Sequence, residues 1–107
     1  MIIEPSPQFL RDIKALSKKY SSVPSDLVRF SESLLSDPQQ GESLGKSCYK
    51  VRFDIKSKNT GKRDNSRIIT CVKLQGDTIF LLAAYDKAEK ATVKGKALDL
   101  LLKQIGK

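Results

Sequence analysis

Between residues 49 and 56 the chain alternates without a break. Tyr49, Val51, Phe53 and Ile55 are apolar; Lys50, Arg52, Asp54 and Lys56 are charged. A period of two predicts a strand with one face in a core and the other in solvent. The same reading, carried along the chain, predicts the other elements. Met1 to Glu4 is a short edge strand, ended by Pro5. Ser6 is an N-cap followed by a first-turn proline, Pro7. Phe9, Ile13, Leu16 and Tyr20 recur at helical spacing and form one apolar stripe, and Ser21-Ser22 breaks that helix. Pro24 opens a second helix carrying Leu27, Phe30, Leu34 and Leu35, which Asp37-Pro38 closes, so the two form a helical hairpin. Residues 39–47, with Gly41 and Gly45, read as a loop. The basic strand follows over about 48–57.

Residues 58–65 form a polar loop, residues 66–74 a further strand, and Gln75-Gly76-Asp77 a tight hairpin turn. Residues 78–85 are almost continuously apolar (Ile79, Phe80, Leu81, Leu82, Ala83, Ala84), as suits a strand covered on both faces. Val93, Ala97, Leu98, Leu101 and Ile105 predict a final helix over 93–105, with Gly95 weakening its first turn. The expected order is β-α-α-β-β-β-α. This is an α+β fold, a small antiparallel sheet backed by an N-terminal helical hairpin. The 107 residues are read as one domain, 1–107, with no internal repeat and no linker.

With 39% hydrophobic residues the chain can build a modest core. No apolar run approaches the roughly 20 residues a membrane helix needs. The first residues lack the basic and apolar regions of a signal peptide, so a cytoplasmic location is expected. That compartment implies reduced thiols at Cys48 and Cys71. With no histidine in the chain, no metal site and no cofactor are expected.

Charge changes the picture. Residues 1–45 carry a net charge of −1 and residues 46–107 a net of +9. Nine of the cations lie within 46–73, against two acids, Asp54 and Asp64. Cations spaced roughly 6.5–7 Å apart along a strand face make a rigid positive surface. Nucleic acid is the favoured partner of such a surface, and an acidic protein is compatible with it.

RNA cleavage by 2′-hydroxyl attack needs a proton acceptor, stabilisation of phosphorane charge and a proton for the leaving oxygen. Histidine, the usual carrier, is absent, which leaves Lys, Tyr, Arg, Asp and Glu. Lys50, crowded by Arg52 and Lys56, is a candidate base. Arginine holds phosphate with two parallel hydrogen bonds but cannot take a proton. Tyr49 and Phe53 share the core face and are read as packing residues. Gly61-Lys62-Arg63 lacks the spacing of a nucleotide-binding loop. Asp54 is expected to orient its cationic neighbours, and Asp86 and Glu89 to pair with Lys87 and Lys90 on a solvated turn. Lys18-Lys19 is read as plain surface.

A resemblance emerges from an ordered set of segments. These are Cys48-Tyr49-Lys50-Val51-Arg52-Phe53, Gly61-Lys62-Arg63, Arg67-Ile68-Ile69-Thr70, Ile79-Phe80-Leu81-Leu82 and Tyr85-Asp86-Lys87-Ala88-Glu89-Lys90. Together they resemble the RelE/HigB superfamily of bacterial type II toxins. The resemblance implies an mRNA endoribonuclease acting on the ribosome and a cognate antitoxin protein. It also implies catalytic roles for four residues. Lys50 is the candidate base, Arg52 steadies transition-state charge, Arg67 clamps phosphate and Lys87 lies near the leaving group. Lys56, Lys58, Lys62, Arg63 and Lys90 are expected to bind RNA. One position departs: Val93 stands where well-known members carry a catalytic tyrosine early in the last helix. Tyr85 is the nearest hydroxyl, and packing and catalysis are equally open to it. Two other readings stand beside the ribonuclease: a ParE-like inhibitor of gyrase, and a non-catalytic module that binds nucleic acid or an antitoxin.

Overall fold

The computed structural model describes residues 1–58, 65–73, 77–87, 93 and 95–106. Among the described residues, five strands and three helices follow one another as β1 (Ile2–Pro5), α1 (Pro7–Lys19), α2 (Val23–Ser36), β2 (Glu42–Gly45), β3 (Cys48–Phe53), β4 (Ser66–Lys73), β5 (Thr78–Asp86) and α3 (Lys96–Lys103). The strands form one sheet in the order β1-β5-β4-β3-β2. The fold is α+β, with the helical hairpin backing the sheet as the sequence predicted. Two details differ. The sheet is mixed, because β1 runs parallel to β5 while every other pair is antiparallel. There is also an extra strand, β2, inside the segment read as a loop.

β2 was hidden because Leu44 is its one apolar residue. Its place is set by backbone conformation instead. The two residues between Gly45 and Cys48, which pair across the hairpin, are Lys46 and Ser47, at φ 55° and 62°. Two consecutive left-handed residues make the turn whose twist matches a hairpin. At the other end Gly41 has φ 98°, and a Cβ there would meet the Lys50 carbonyl oxygen at 2.5 Å. Only glycine lets the chain pass so close to β3.

α1 begins where the sequence placed it. The Ser6 hydroxyl accepts from the Phe9 N–H at 3.1 Å. It also donates to the Leu82 carbonyl at 3.0 Å, so one side chain caps the helix and satisfies the edge of β5 beyond the end of β1. Asp12 completes that edge by accepting from the Ala84 N–H at 3.0 Å. β3 stops at Phe53 rather than near 57, because side chains replace the ladder. The Ile55 N–H donates to Asn65 Oδ1 at 3.0 Å and the Lys56 N–H to Asp26 Oδ2 at 3.0 Å. α3 starts at Lys96, three residues later than predicted, with Gly95 at φ 60° before it.

Both faces of the sheet are covered, unequally. Phe9, Leu16, Phe30, Leu34, Val51, Phe53, Ile68, Ile79, Leu81 and Ala84 form the core under the helical hairpin. Cys48, Ile69, Cys71, Leu82, Ala83, Tyr85, Val93, Leu98 and Leu102 form a second core on the other face, under α3. Neighbours Leu82 and Ala83 lie on the same side. The register explains it: Ile69 faces Ala83 and Thr70 faces Leu81, so Leu82 is an extra residue, a β-bulge. After the bulge the alternation of β5 is inverted.

The turn and the close approach give a matched pair of expectations. Ser47→Gly relieves a left-handed non-glycine residue and should raise stability by about 0.5–1 kcal/mol. Gly41→Ala forces Cβ into the β3 backbone and should cost about 2 kcal/mol or more. Urea denaturation of the two variants against the parent checks both signs.

Candidate active site

The α3 side of the sheet is open where β2, β3, β4 and the end of β5 meet. The ladder between β3 and β4 determines which side chains crowd there. The Val72 N–H donates to the Ser47 carbonyl at 2.9 Å, flanking the Cys48–Cys71 pair. That bond makes Cys48–Cys71 a non-hydrogen-bonded pair, the type in which opposed side chains are closest. Pair types alternate along an antiparallel ladder, and β3 and β4 stay in register. Lys50–Ile69 and Arg52–Arg67 are therefore of the same close type. Two guanidinium side chains rise from directly opposed positions, and opposed like charges destabilise a sheet. A bound anion between them reverses that sign.

The other members arrive from both sides. Glu42 is opposite Lys50 in the β2–β3 register, and its carboxylate is 3.6 Å from the Lys50 ammonium. Beyond the bulge, Tyr85 pairs with Arg67 and Lys87 follows β5. Gly41, Glu42, Lys50, Arg52, Arg67 and Lys87 line one open cleft of about 370 Å³. The four residues assigned catalytic roles from the sequence thus converge on one wall. Arg67 is half-buried and steadied by its own strand, donating to the Asn65 and Ser66 carbonyls at 3.2 and 3.0 Å. Arg52 and Lys87 are exposed.

Tyr85, paired with Arg67, is buried in the core under α3. Burial pushes its phenol above the ordinary 10.0; Arg67 draws it partly back and Glu42 adds to the rise. The phenol is therefore a proton-bearing group throughout the neutral range. Val93 is buried, 3% exposed, in the core under α3, so its position supplies packing and no reactive atom.

Other expectations need correction. Lys58 was expected to bind RNA, but it is 8% exposed, and its ammonium sits 2.6 Å from the Asp86 carboxylate. Asp86 was expected on a solvated turn. It is 3% exposed and also accepts from the Tyr20 hydroxyl at 3.2 Å. The bulge explains both. It turns Asp86 toward the hairpin side, where a carboxylate needs a cation, and Lys58 supplies one. Lys56 is exposed but lines an adjoining cavity with Arg52 and Asp54 rather than the cleft itself. Lys62, Arg63, Glu89 and Lys90 lie outside the described residues. Glu42 and Gly41 were missed, because their segment carries no alternation, and a lone acid beside a glycine is no motif. Among the described residues no three His, Cys, Asp or Glu side chains come together as metal ligands.

No family profile matches the chain by sequence. No curated protein matches it either. A solved structure does match: a double arginine-to-alanine mutant of the E. coli toxin RelE in the free state. It superposes with a TM-score of 0.62 over 97% of this chain and 96% of that one, at 17% sequence identity. The chain has the RelE-like toxin fold.

The raised Tyr85 phenol has a pH signature. As pH climbs past 10 the unfolded chain gives up this proton before the folded one does, so stability is lost in that range. Denaturation midpoints between pH 9 and 11.5 should fall more steeply for the parent than for Tyr85→Phe. Between pH 6 and 9 the two should run parallel.

Proposed function

We propose that this chain is the toxin of a type II toxin–antitoxin pair, a metal-independent endoribonuclease that cleaves message on the ribosome. One observation carries the reading. Lys50, Arg52, Arg67 and Lys87, drawn from two strands and the end of a third, meet the Glu42 carboxylate of β2 in a single open cleft. The fold shared with the toxin RelE across 97% of the chain supports it.

The chemistry distributes itself by charge and exposure. Arg52 and Arg67 hold the two non-bridging oxygens of the scissile phosphate, which are most negative in the phosphorane. A carboxylate is deprotonated at neutral pH and an ammonium is not. The 2′-hydroxyl proton therefore goes to Glu42, and Lys50 serves as its charge partner and a further phosphate ligand. The 2′-oxygen bonds to phosphorus as the bond to the 5′-oxygen breaks. Lys87, exposed at the cleft's edge, gives that oxygen a proton. The products are a 2′,3′-cyclic phosphate and a 5′-hydroxyl. No cofactor takes part. The ribosome positions the message, because aligning the 2′-oxygen in line with the leaving group is worth more than any one contact here. The antitoxin is a protein that covers the positive cleft, and the site of action is the cytoplasm.

The buried Val93 favours a second reading, a non-catalytic module of the same fold that binds nucleic acid. A gyrase-directed toxin is the third. Induction in growing bacteria, with mapping of mRNA 5′ ends and of the DNA-damage response, separates them. The ribonuclease reading expects growth arrest with new 5′-hydroxyl ends inside translated message. Glu42→Gln and Arg67→Ala should each slow cleavage by about 10²–10³-fold while the chain stays folded, checked by circular dichroism. Full toxicity in both variants contradicts the assignment. Arrest with DNA damage and intact message points to gyrase. Salt-sensitive binding without arrest, at roughly −0.7 in log–log slope per phosphate, points to the module.

A further inference from the structure

Cys48 and Cys71 take no part in the cleft, yet they are the first rung of the ladder that carries it. They face each other across β3 and β4, and the bond from the Val72 N–H to the Ser47 carbonyl makes theirs a non-hydrogen-bonded pair. The Cα atoms of such a pair lie about 4.5 Å apart. A disulfide joins residues whose Cα atoms are about 4.4–6.8 Å apart. We propose that the two thiols are a redox site, which a hydroperoxide closes to a disulfide between β3 and β4 and a small thiol reopens. The proposal rests on the ladder alone and is independent of the ribonuclease reading.

Both sulfurs are directed to one point. The Cys48 thiol donates to the Lys46 carbonyl at 3.5 Å, and the Cys71 sulfur is 4.0 Å from the same oxygen. Both belong to the core under α3, with Leu102 in the same cluster. Two small apolar residues would fill that space equally well. Opposed thiols in the closer type of pair add a reaction, because the bond needs no backbone movement. Neither thiol is exposed. A cavity of about 760 Å³ adjoins them, lined by Lys46 and Ser47 of the turn before Cys48 and by Leu102. Leu102 thus stands between the cavity and the thiols, and hydrogen peroxide, little larger than water, passes when that side chain swings aside.

The chemistry closes in two steps. The Cys48 sulfur takes one oxygen from the peroxide, giving a sulfenic acid and one water as the O–O bond breaks. The Cys71 sulfur then attacks the Cys48 sulfur and expels that oxygen, which leaves as a second water with the Cys71 proton. The two thiols lose two hydrogens and two electrons, and the peroxide gains both. The disulfide closes the loop from 48 to 71, which holds Lys50, Arg52 and Arg67. A slip of one residue between β3 and β4 would turn those cations to the other face of the sheet. The bond forbids the slip without touching the cleft. In a reducing compartment the pair rests as dithiol, and a disulfide there is a transient response to oxidant.

The test treats the reduced full-length chain with a small excess of hydrogen peroxide and reads intact mass without reductant. The product should be a monomer about 2 Da lighter, with no thiol left to alkylate after denaturation. A peptide map should join Cys48 to Cys71. The melting temperature should rise by about 10 °C or more, and dithiothreitol should restore mass and melting point together. Cys71→Ser keeps a donor for the Lys46 carbonyl; it should gain oxygen at Cys48 and show no rise in melting temperature. A parent chain that keeps both thiols until it is denatured overturns the inference. So does one that gains oxygen without losing hydrogen, or one that cross-links only between chains. These readings use the parent alone, so they stand even where Cys71→Ser does not fold.

Discussion

Leu82 is one residue more than the ladder between β4 and β5 can pair, and the composition of the cleft follows from it. Before the bulge, odd-numbered residues of β5 face the helical hairpin. After it they face α3, so Tyr85 stands opposite Arg67 and Lys87 joins the same wall. The same inversion sends Asp86 into the hairpin side, where it is buried against Lys58 and Tyr20. Were the same sequence paired in a regular ladder with no bulge, the acid would face the cleft side and the lysine the hairpin side. The bulge is held from outside the sheet: β1 ends at Pro5, and the Ser6 hydroxyl takes up the Leu82 carbonyl in place of a strand. A helix cap and the placement of the cleft's cationic face thus share one hydroxyl.

The cleft is built against its own charge. Arg52 and Arg67 occupy directly opposed positions of the close type, and Lys50 and Lys87 add to the field. In the free protein the restraint is local. Glu42 faces Lys50, and Arg67 is tied to carbonyls beside its own strand. The second core under α3 covers the rest of that face and leaves this corner open. Such a surface is least favourable empty and most favourable with a phosphate on it. That is the electrostatic preorganisation needed by a reaction whose transition state carries extra negative charge.

Much of this was legible in the sequence, for reasons that can be named. Alternation at 49–56 announced β3 and its cationic face, because a half-buried strand leaves a period-two trace. Ser6-Pro7 and the stripe of Phe9, Ile13 and Leu16 announced α1 through local rules. The unbroken apolar run ending at Tyr85 announced a strand covered on both faces, and two cores flank it. What stayed hidden depends on pairing. A bulge leaves no mark in an all-apolar run, so neither the direction of Lys87 nor the burial of Lys58 with Asp86 was readable. β2 is defined by left-handed backbone at Lys46 and Ser47 and by the space at Gly41, so Glu42 went unseen as a member of the site.

The central claim is that side chains from separate strands act as one phosphate site. NMR titration of the arginine Nε–H and lysine side-chain signals with inorganic phosphate tests it most directly. Lys50, Arg52, Arg67 and Lys87 should shift together along one isotherm with one dissociation constant, while Lys18 and Lys58 stay still. Independent isotherms for those four residues, or shifts spread evenly over the surface lysines, would contradict it.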